Sequence, residues 1–283
     1  MKPAAFEYFA PRTVDEALSL LAGVEGAKVL AGGQSLVPAM NFRLVRPPAL
    51  IDVNQIVGLD RVTADDGQVR IGALTRHRTL ETPDLDGPLA RLFGEMARHI
   101  GHMPIRVRGT FGGSLAHADP AAEWCLLART LDATMVAASA SGTREIPAEE
   151  FFATVFTTTL RPDEMLTEVR LPQLTARHMV GFSEFSRRAG DFALAMVVVA
   201  AEVDAGIVRT AQVGAGGVGD VPVRLTAAEA ALVGNGWEPA SWEAAAEAAM
   251  GEVEPFEDIH GSAEYRRDLM GALLRRACSQ AAS

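Results

Sequence analysis

Apolar residues recur along residues 1–175 with spacings that predict short strands alternating with helices. Thr13-Val14-Asp15-Glu16 has the composition of a capping box, so a helix is expected from residue 14 to a stop at Gly23. Residues 85–100 carry apolar side chains at a helical period, which ends at Gly101. Further strands are predicted at 6–9, 28–31, 50–53, 69–73, 134–138, 144–146 and 165–171, and further helices at 35–42, 75–80 and 123–131.

The pattern changes after residues 173–178, which form the best candidate for a domain boundary. Three apolar strands follow, at 181–187, 192–203 and 208–214, and then three helices, at 226–233, 241–250 and 262–281. Strands first and helices last predict a separate α+β module of about 100 residues. We therefore expect an α+β protein with domains at 1–175 and 176–283.

Composition narrows the classes of function. The chain has 283 residues and a net charge of -10, which argues against binding to nucleic acid or to an anionic membrane surface. Its longest apolar stretch, 192–203, is shorter than the roughly 20 residues that span a bilayer, and no secretory signal is expected. The two cysteines, Cys125 and Cys278, lie in apolar helical runs, which suits buried thiols in a reducing cytoplasm.

Two glycine pairs are the strongest motifs. Leu30-Ala31-Gly32-Gly33-Gln34-Ser35-Leu36 and Thr110-Phe111-Gly112-Gly113-Ser114 share one order: an apolar run, two glycines and a hydroxyl. Paired glycines let backbone amides approach a phosphate without interference from Cβ atoms. Two such segments suit a diphosphate, although either one could be a turn. Asp119 and Glu123, which follow the second pair, could accept hydrogen bonds from sugar hydroxyls.

Other kinds of chemistry find less support. No G-x-G-x-x-G follows the first strands, which disfavours a Rossmann domain. His99, His102 and His117 could be imagined around a metal, but Gly101 breaks the helix and no cysteine lies near. Cys125 has no obvious base beside it. We therefore predict neither a metal site nor a catalytic acid, base or nucleophile.

Two further motifs lie in the second domain. Arg187-Arg188-Ala189-Gly190-Asp191-Phe192 is either a solvated turn with Phe192 in the core, or a turn that places an aromatic face beside a bound ring. The glycine-rich run at 214–219 follows a strand and predicts a flexible loop rather than a phosphate site.

The two glycine segments, Asp119-Pro120 with Glu123, and the Arg187–Phe192 motif occur in an order that resembles the medium, FAD-binding subunit of the molybdenum hydroxylases. This is the family of carbon monoxide dehydrogenase and xanthine dehydrogenase, and the resemblance extends to the helix that begins Ser262-Ala263-Glu264-Tyr265-Arg266-Arg267. It implies an FAD domain of two α+β subdomains, about 1–58 and 59–175, like that of vanillyl-alcohol oxidase. A C-terminal domain with a three-stranded antiparallel sheet and helices would follow.

The resemblance also implies roles for residues. Residues 30–36 and 110–114 would hold the pyrophosphate of FAD, and Glu123, with Asp119 beside it, a ribose or ribityl hydroxyl. Ile100 would line the adenine side, Leu166 would offer its backbone to the isoalloxazine edge, and Phe192 would cover one ring face. Some relatives have lysines where this chain has Ser183 and Leu194, which implies less positive charge around the ring.

The implied function is electron transfer within a complex. A large subunit would carry the molybdenum cofactor, and a small subunit two [2Fe–2S] clusters, in a dimer of heterotrimers. FAD on this chain would pass electrons to an external acceptor. Two cysteines are too few for an iron–sulfur cluster here, which takes about four ligands. Two alternatives are a self-contained flavin oxidase and a non-catalytic nucleotide-binding regulator; the substrate and the acceptor stay open.

Overall fold

The computed structural model describes residues 1–282. The chain begins with a small parallel sheet in the order β1-β3-β2. Thr13 caps the first helix as predicted, because its hydroxyl accepts from the amide of Glu16; the Glu16 carboxylate returns to the amide of Arg12 at 2.8 Å. The elements are β1 (Glu7–Phe9), α1 (Val14–Gly23), β2 (Lys28–Leu30), α2 (Leu36–Asn41) and β3 (Ala49–Asp52).

A five-stranded antiparallel sheet, in the order β4-β5-β10-β6-β7, organises the next part of the chain. The helices between its strands bury Phe93, Phe111 and Trp124 completely. A 3-10 helix covers His77–Glu81. The other elements are β4 (Val62–Asp65), β5 (Gln68–Gly72), α3 (Pro88–His99), α4 (Met103–Arg108), α5 (Phe111–His117), α6 (Glu123–Thr130), β6 (Thr134–Ser139), β7 (Gly142–Pro147), α7 (Ala148–Phe151), β8 (Phe152–Thr154), β9 (Thr157–Thr158) and β10 (Met165–Pro172).

Two differences from the sequence prediction affect the site. The segment after Gly101, for which no helix or strand is predicted above, contains α4. Pro104 is compatible with this helix because it lies in the first turn, where a missing amide hydrogen costs no helical bond. The second glycine pair is not a loop. Thr110 caps α5 by accepting from the amide of Gly113 at 3.1 Å, so Gly112 and Gly113 form the first turn of that helix.

The last hundred residues form the expected strands-then-helices module, with one strand more than predicted. Its antiparallel sheet has the order β11-β12-β13-β14, and the short β14 pairs with Gly214 and Ala215. The glycine run predicted to be a flexible loop therefore begins inside a strand. The elements are β11 (His178–Phe185), β12 (Ala195–Asp204), β13 (Ile207–Gly216), β14 (Val223–Arg224), α8 (Thr226–Leu232), α9 (Pro239–Met250) and α10 (Ala263–Ala281).

Strand β12 joins the hydrophobic cores of the two parts. Met196 and Val198 pack into the core around Trp124, whereas Val197 and Val199 face the core under α10. Both faces are buried, so the strand reads as a continuous apolar run rather than an alternating one. Both cysteines are buried free thiols, as predicted. Within residues 1–282 no helix is long and apolar enough to cross a bilayer.

Gly181 in β11 permits the close approach of α10, since a Cβ atom there would lie 2.9 Å from the carbonyl carbon of Ala277. We expect Gly181→Ala to lower the free energy of unfolding by about 1–3 kcal/mol, the usual cost of overpacking, in urea titrations of the full chain. Gly23→Ala, where nothing lies within 4 Å, is the control and should not be destabilised. Equal stability of both variants would contradict this packing argument.

Candidate cofactor site

The two glycine segments are in contact. The first follows β2, and the second begins α5. A Cβ atom on Gly32 would clash with the carbonyl oxygen of Arg108 and lie 2.7 Å from the Cα atom of Gly109. A Cβ atom on Gly113 would lie 3.9 Å from that of Ala31. The tertiary structure therefore brings together two segments that are about 80 residues apart in the sequence.

The first segment offers backbone amides. Gly33 has a φ of +73°, which turns the chain sharply between β2 and α2. After this turn, the backbone amide of Val37 donates a hydrogen bond to the carbonyl of Gly33 at 3.1 Å. Among the residues that the structure describes, none accepts a hydrogen bond from the amides of residues 32–35. Successive unpaired amides in such a turn form a concave binding site for an anion.

The second segment offers hydroxyls instead. Its amides are engaged within the protein: Phe111 donates to Thr75, Gly112 to Ala73, and both Gly113 and Ser114 to Thr110. The prediction that this glycine pair forms an amide nest is therefore wrong. The glycines serve packing, since a Cβ atom on Gly112 would lie 2.5 Å from the Cβ atom of Ala73. Among residues 1–282, no group accepts a hydrogen bond from the hydroxyls of Thr110 and Ser114; Ser114 is partly exposed, whereas Thr110 is 2% exposed.

Asp119 and Glu123 follow the second segment. Ala118, in the left-handed region with a φ of +53°, ends α5 and leads into Asp119, whose carboxylate accepts from the amide of Ala121 at 2.9 Å. Burial raises the pKa of Asp119. Glu123 is the first residue of α6 and is buried; burial raises its pKa well above the usual range, and the nearby Glu184 carboxylate adds to the effect.

Glu184, on β11 of the second domain, was not singled out from the sequence. Its side chain is 2% exposed, and its Oε2 atom has no hydrogen-bond partner among residues 1–282. Burial raises its pKa to about 7. His99 Nδ1 lies 3.8 Å away, but burial and the charge of Arg276 lower the pKa of His99, so it provides no lasting cation. Two carboxyl groups thus share a dry interdomain region, which favours the protonated form of at least one.

A cavity of about 740 Å³ lies between the two domains. Asp119 and Phe156 line it from the first domain, and Phe192, Phe256 and Arg266 line it from the second. Phe192 is 67% exposed and precedes β12, so the alternative that placed this ring in the core is wrong. The ring instead forms part of the cavity wall.

Arg266 fixes the wall that carries Phe192. Its side chain is 2% exposed, and Nη1 donates to the carbonyls of Leu194 at 2.7 Å and Gly217 at 3.2 Å. Nη2 donates to the carboxylate of Asp258 at 2.9 Å, and the guanidinium lies 4.4 Å from the ring centre of Phe256. One buried arginine therefore ties α10 to the loop before β12.

The remaining predicted residues lie around these groups. Ile100 caps α3, and the next residue, Gly101, contacts Gly190 of the Arg187–Phe192 motif. Leu166 is buried on β10 beside a bulge and does not line the cavity. Of the two positions at which the resemblance implied a missing lysine, Leu194 borders the cavity. Ser183 shares the strand face of Gly181, which α10 covers.

The histidines considered as metal ligands face different neighbours. His99 lies beside Glu184, His102 packs on Gly190, and the ring of His117 stacks on Phe156 with centroids 4.9 Å apart. In residues 1–282 no group of three or more histidine, cysteine or acidic side chains is arranged to hold a metal ion.

Sequence reasoning missed Asn54 and Arg76, whose side chains connect the two glycine segments. For Asn54 a signal existed. Asn54 lies two residues after the end of β3, and β3 pairs in parallel with β2. Asn54 therefore lies at the same edge of the sheet as the first glycine segment, which follows β2. Polar residues at this edge of parallel strands commonly form binding sites. Arg76 carries no such local signal.

Comparison with known proteins agrees with this geometry. Residues 4–174 match the family model of the FAD binding domain in molybdopterin dehydrogenase, and residues 181–281 match that of the CO dehydrogenase flavoprotein C-terminal domain. The alpha subunit of the 6-hydroxypseudooxynicotine dehydrogenase complex of Paenarthrobacter nicotinovorans is 40% identical, covering 99% of this chain and 96% of the relative.

Two further similarities extend over the full length. The carbon monoxide dehydrogenase medium chain of Hydrogenophaga pseudoflava is 32% identical over 99% of this chain and 98% of its own. A chain in the crystal structure of quinoline 2-oxidoreductase from Pseudomonas putida 86 superposes with a TM-score of 0.93 at 35% identity, covering 100% of this chain and 98% of that one.

Fold, site and comparisons together define the flavoprotein component of an oxidoreductase. The chain belongs to the FAD-binding medium subunits of the molybdenum hydroxylases, the family that includes carbon monoxide dehydrogenase and xanthine dehydrogenase. The resemblance noted in the sequence motifs is confirmed.

The buried Glu184 predicts a particular dependence of stability on pH. Its pKa is raised in the folded protein, so its contribution to stability is complete below the unfolded value of about 4.3 and is lost as pH rises through about 7. We therefore expect the contribution of Glu184 to the free energy of unfolding to fall between pH 5 and pH 8. Glu184→Gln, which stays neutral, should lose on the order of 2 kcal/mol less over that range.

Urea unfolding at pH 5, 6.5 and 8 measures this difference. Glu145→Gln is the matched control, because the Glu145 side chain is 61% exposed and should leave the pH dependence as it is in the wild type. Parallel curves for the wild type and Glu184→Gln would show that Glu184 is not a buried, titrating group.

Proposed function

We propose that this chain holds one FAD, with the diphosphate at the joined glycine segments and the flavin at the interdomain cavity. It would pass electrons from a partner subunit to an external acceptor. The observation that carries this proposal is the row of unpaired amides at residues 32–35, which meets the hydroxyl-bearing start of α5. A protein with a net charge of -10 needs such a local, uncharged anion site.

The proposed FAD contacts divide by chemical type. Amides of the first segment and hydroxyls of Thr110 and Ser114 would hold the phosphates. Asp119 and Glu123 would hold sugar or ribityl hydroxyls; a protonated Glu123 can donate as well as accept. Phe192 would cover the flavin ring. The complete proposed set is Leu30, Ala31, Gly32, Gly33, Gln34, Ser35, Leu36, Ile100, Thr110, Gly112, Gly113, Ser114, Asp119, Glu123, Leu166 and Phe192.

FAD, when bound, supplies one- and two-electron redox chemistry, and the protein contributes binding, orientation and the electrostatic surroundings. The residues of the site suit that division. Gly33 and its neighbours would bind, Arg266 fixes the cavity wall that carries Phe192, and burial favours the neutral form of the Glu123 and Glu184 carboxyl groups. We propose no catalytic acid, base or nucleophile in this chain.

The partners follow from the family. The relatives are named as the alpha subunit of a complex and as a medium chain, so this chain is a subunit of a multi-subunit enzyme. We infer a large subunit with the molybdenum cofactor and a small subunit with two [2Fe–2S] clusters, in a dimer of heterotrimers in the cytoplasm. The domain boundary would lie near residue 175, between the stretches matched by the two family models.

Purification with the partner subunits tests the cofactor. We expect flavin absorbance and release of one FAD per chain on denaturation, because the first segment and the second together can hold a diphosphate. Release of FMN, or no flavin, would remove the proposal. Bleaching of the flavin by substrate in the intact complex would exclude a non-catalytic regulator, and substrate oxidation by this chain alone would favour a self-contained oxidase.

Gly33→Val tests the first segment. A β-branched residue resists a φ of +73°, at a cost of about 1–3 kcal/mol, and relieving that strain turns the amides of residues 32–35 away from one another. We expect FAD affinity to fall at least tenfold in equilibrium dialysis. Gly58→Val is the matched control: φ is +93°, nothing lies within 4 Å, and FAD affinity should be retained. Equal FAD affinity of Gly33→Val and the control would move the phosphate site elsewhere.

A further inference from the structure

A chain of hydrogen bonds connects the two glycine segments through two side chains. The amide nitrogen of Asn54, Nδ2, donates to the carbonyl of Ala31 at 2.8 Å. The Oδ1 atom of Asn54 accepts from Arg76 Nη2 at 2.6 Å, and Arg76 Nη1 donates to the carbonyl of Arg108. Asn54 Nδ2 also donates to the carbonyl of Leu30 at 3.4 Å. Among residues 1–282, no side chains other than those of Asn54 and Arg76 connect residues 30–36 to residues 108–114 by hydrogen bonds.

The ends of this chain are oriented by further contacts. The Asp52 carboxylate accepts from both the backbone amide and Nδ2 of Asn54, at 2.9 and 2.6 Å, which fixes the orientation of the Asn54 amide. Asp52 also accepts from the hydroxyl of Tyr8 at 2.5 Å. On the other side, Arg76 forms a β-bridge with Thr110, at the start of the second segment.

The two connected segments belong to different sheets. The first leaves the parallel sheet after β2, and the second begins the helix that packs on the antiparallel sheet. The direct contact at Gly32 sets how near they can come, but a steric contact does not prevent them from separating. Asn54 and Arg76 supply the restraint in that direction. Both are partly exposed, so the contacts they add are polar rather than part of the core.

We propose that Asn54 and Arg76 are positioning residues of the FAD site, which set the spacing between the amides at 32–35 and the hydroxyls of Thr110 and Ser114. This rests on the proposed function, since a diphosphate must reach both groups at once. Displacement of a binding group by about 1 Å is enough to weaken such a site strongly. The guanidinium of Arg76 is half-buried between the two segments, so it would also place positive charge near the phosphates of FAD.

The test compares FAD-depleted wild-type protein with Arg76→Met, Arg76→Lys and Asn54→Asp, each as the full chain in its purified complex. Methionine removes both bonds of the guanidinium. Lysine keeps the charge but lacks the planar guanidinium fork that donates to two acceptors at once. Aspartate keeps an acceptor for Arg76, removes the donor to Ala31 and places a second carboxylate beside Asp52. Arg70→Met is the matched control, an arginine of β5 whose ion pairs are with Asp65 and Glu168 rather than with either segment.

We expect the FAD dissociation constant to rise at least tenfold for Arg76→Met and for Asn54→Asp, the effect of losing hydrogen bonds to a charged group. The FAD dissociation constant of Arg76→Lys should lie between those of these variants and the wild type, and that of Arg70→Met should match the wild-type value. Competition distinguishes positioning from general damage. The inhibition constant of ADP, which contains the diphosphate, should rise together with the FAD dissociation constant in the variants, whereas the inhibition constant of riboflavin, which has no phosphate, should match that of the wild type.

The outcomes separate the two proposals. Failure of the wild-type complex to bind FAD would end the proposed function. If the wild type binds FAD and the variants bind it equally well, Asn54 and Arg76 do not position the site. The inference is also overturned if riboflavin competition weakens as much as ADP competition, or if the urea midpoint of the FAD-free variants falls together with FAD affinity, because either result indicates a general role in folding.

Discussion

The structure of the site depends on one close contact between backbones, that of Gly32 with Arg108 and Gly109. Any side chain at residue 32 would hold the two segments apart. Because the contact is made by main-chain atoms, it aligns the whole of each segment rather than one side chain. The amides that follow Gly32 and the hydroxyls that follow Gly109 are therefore held in neighbouring segments. Asn54 and Arg76 oppose separation of the same two segments, so steric exclusion and hydrogen bonding together define a single spacing.

The distribution of charge around the two glycine segments is not apparent from the overall composition. An acidic protein presents neutral amides and the guanidinium of Arg76 on the side of the segments. Three carboxyl groups lie beyond the second segment, those of Asp119, Glu123 and Glu184, and burial raises their pKa values. Protonation of the buried pair lowers the negative charge that a bound anion would meet.

The second domain completes the cavity and belongs to the same packed unit. Strand β12 is buried on both faces, so the cores of the two domains meet across one strand. The loop before this strand presents Phe192 to the cavity, and Arg266 ties that loop to α10. Movement of the aromatic wall thus requires breaking hydrogen bonds of a buried arginine, which favours a preformed wall for a flat ligand.

Local patterns in the sequence determined the capped helix at Thr13, the long α3, the continuous apolar strand β12 and the motifs that identify the family. Each depends on the periodicity or conformation of neighbouring residues, which the sequence states directly. Tertiary structure decided the rest. The two glycine pairs look alike in sequence, yet one exposes its amides and the other packs its glycines on Ala73, because the partners of those amides are distant in the chain. The environment of Glu184 and the Asn54–Arg76 connection are likewise contacts between separate elements, which no local pattern encodes.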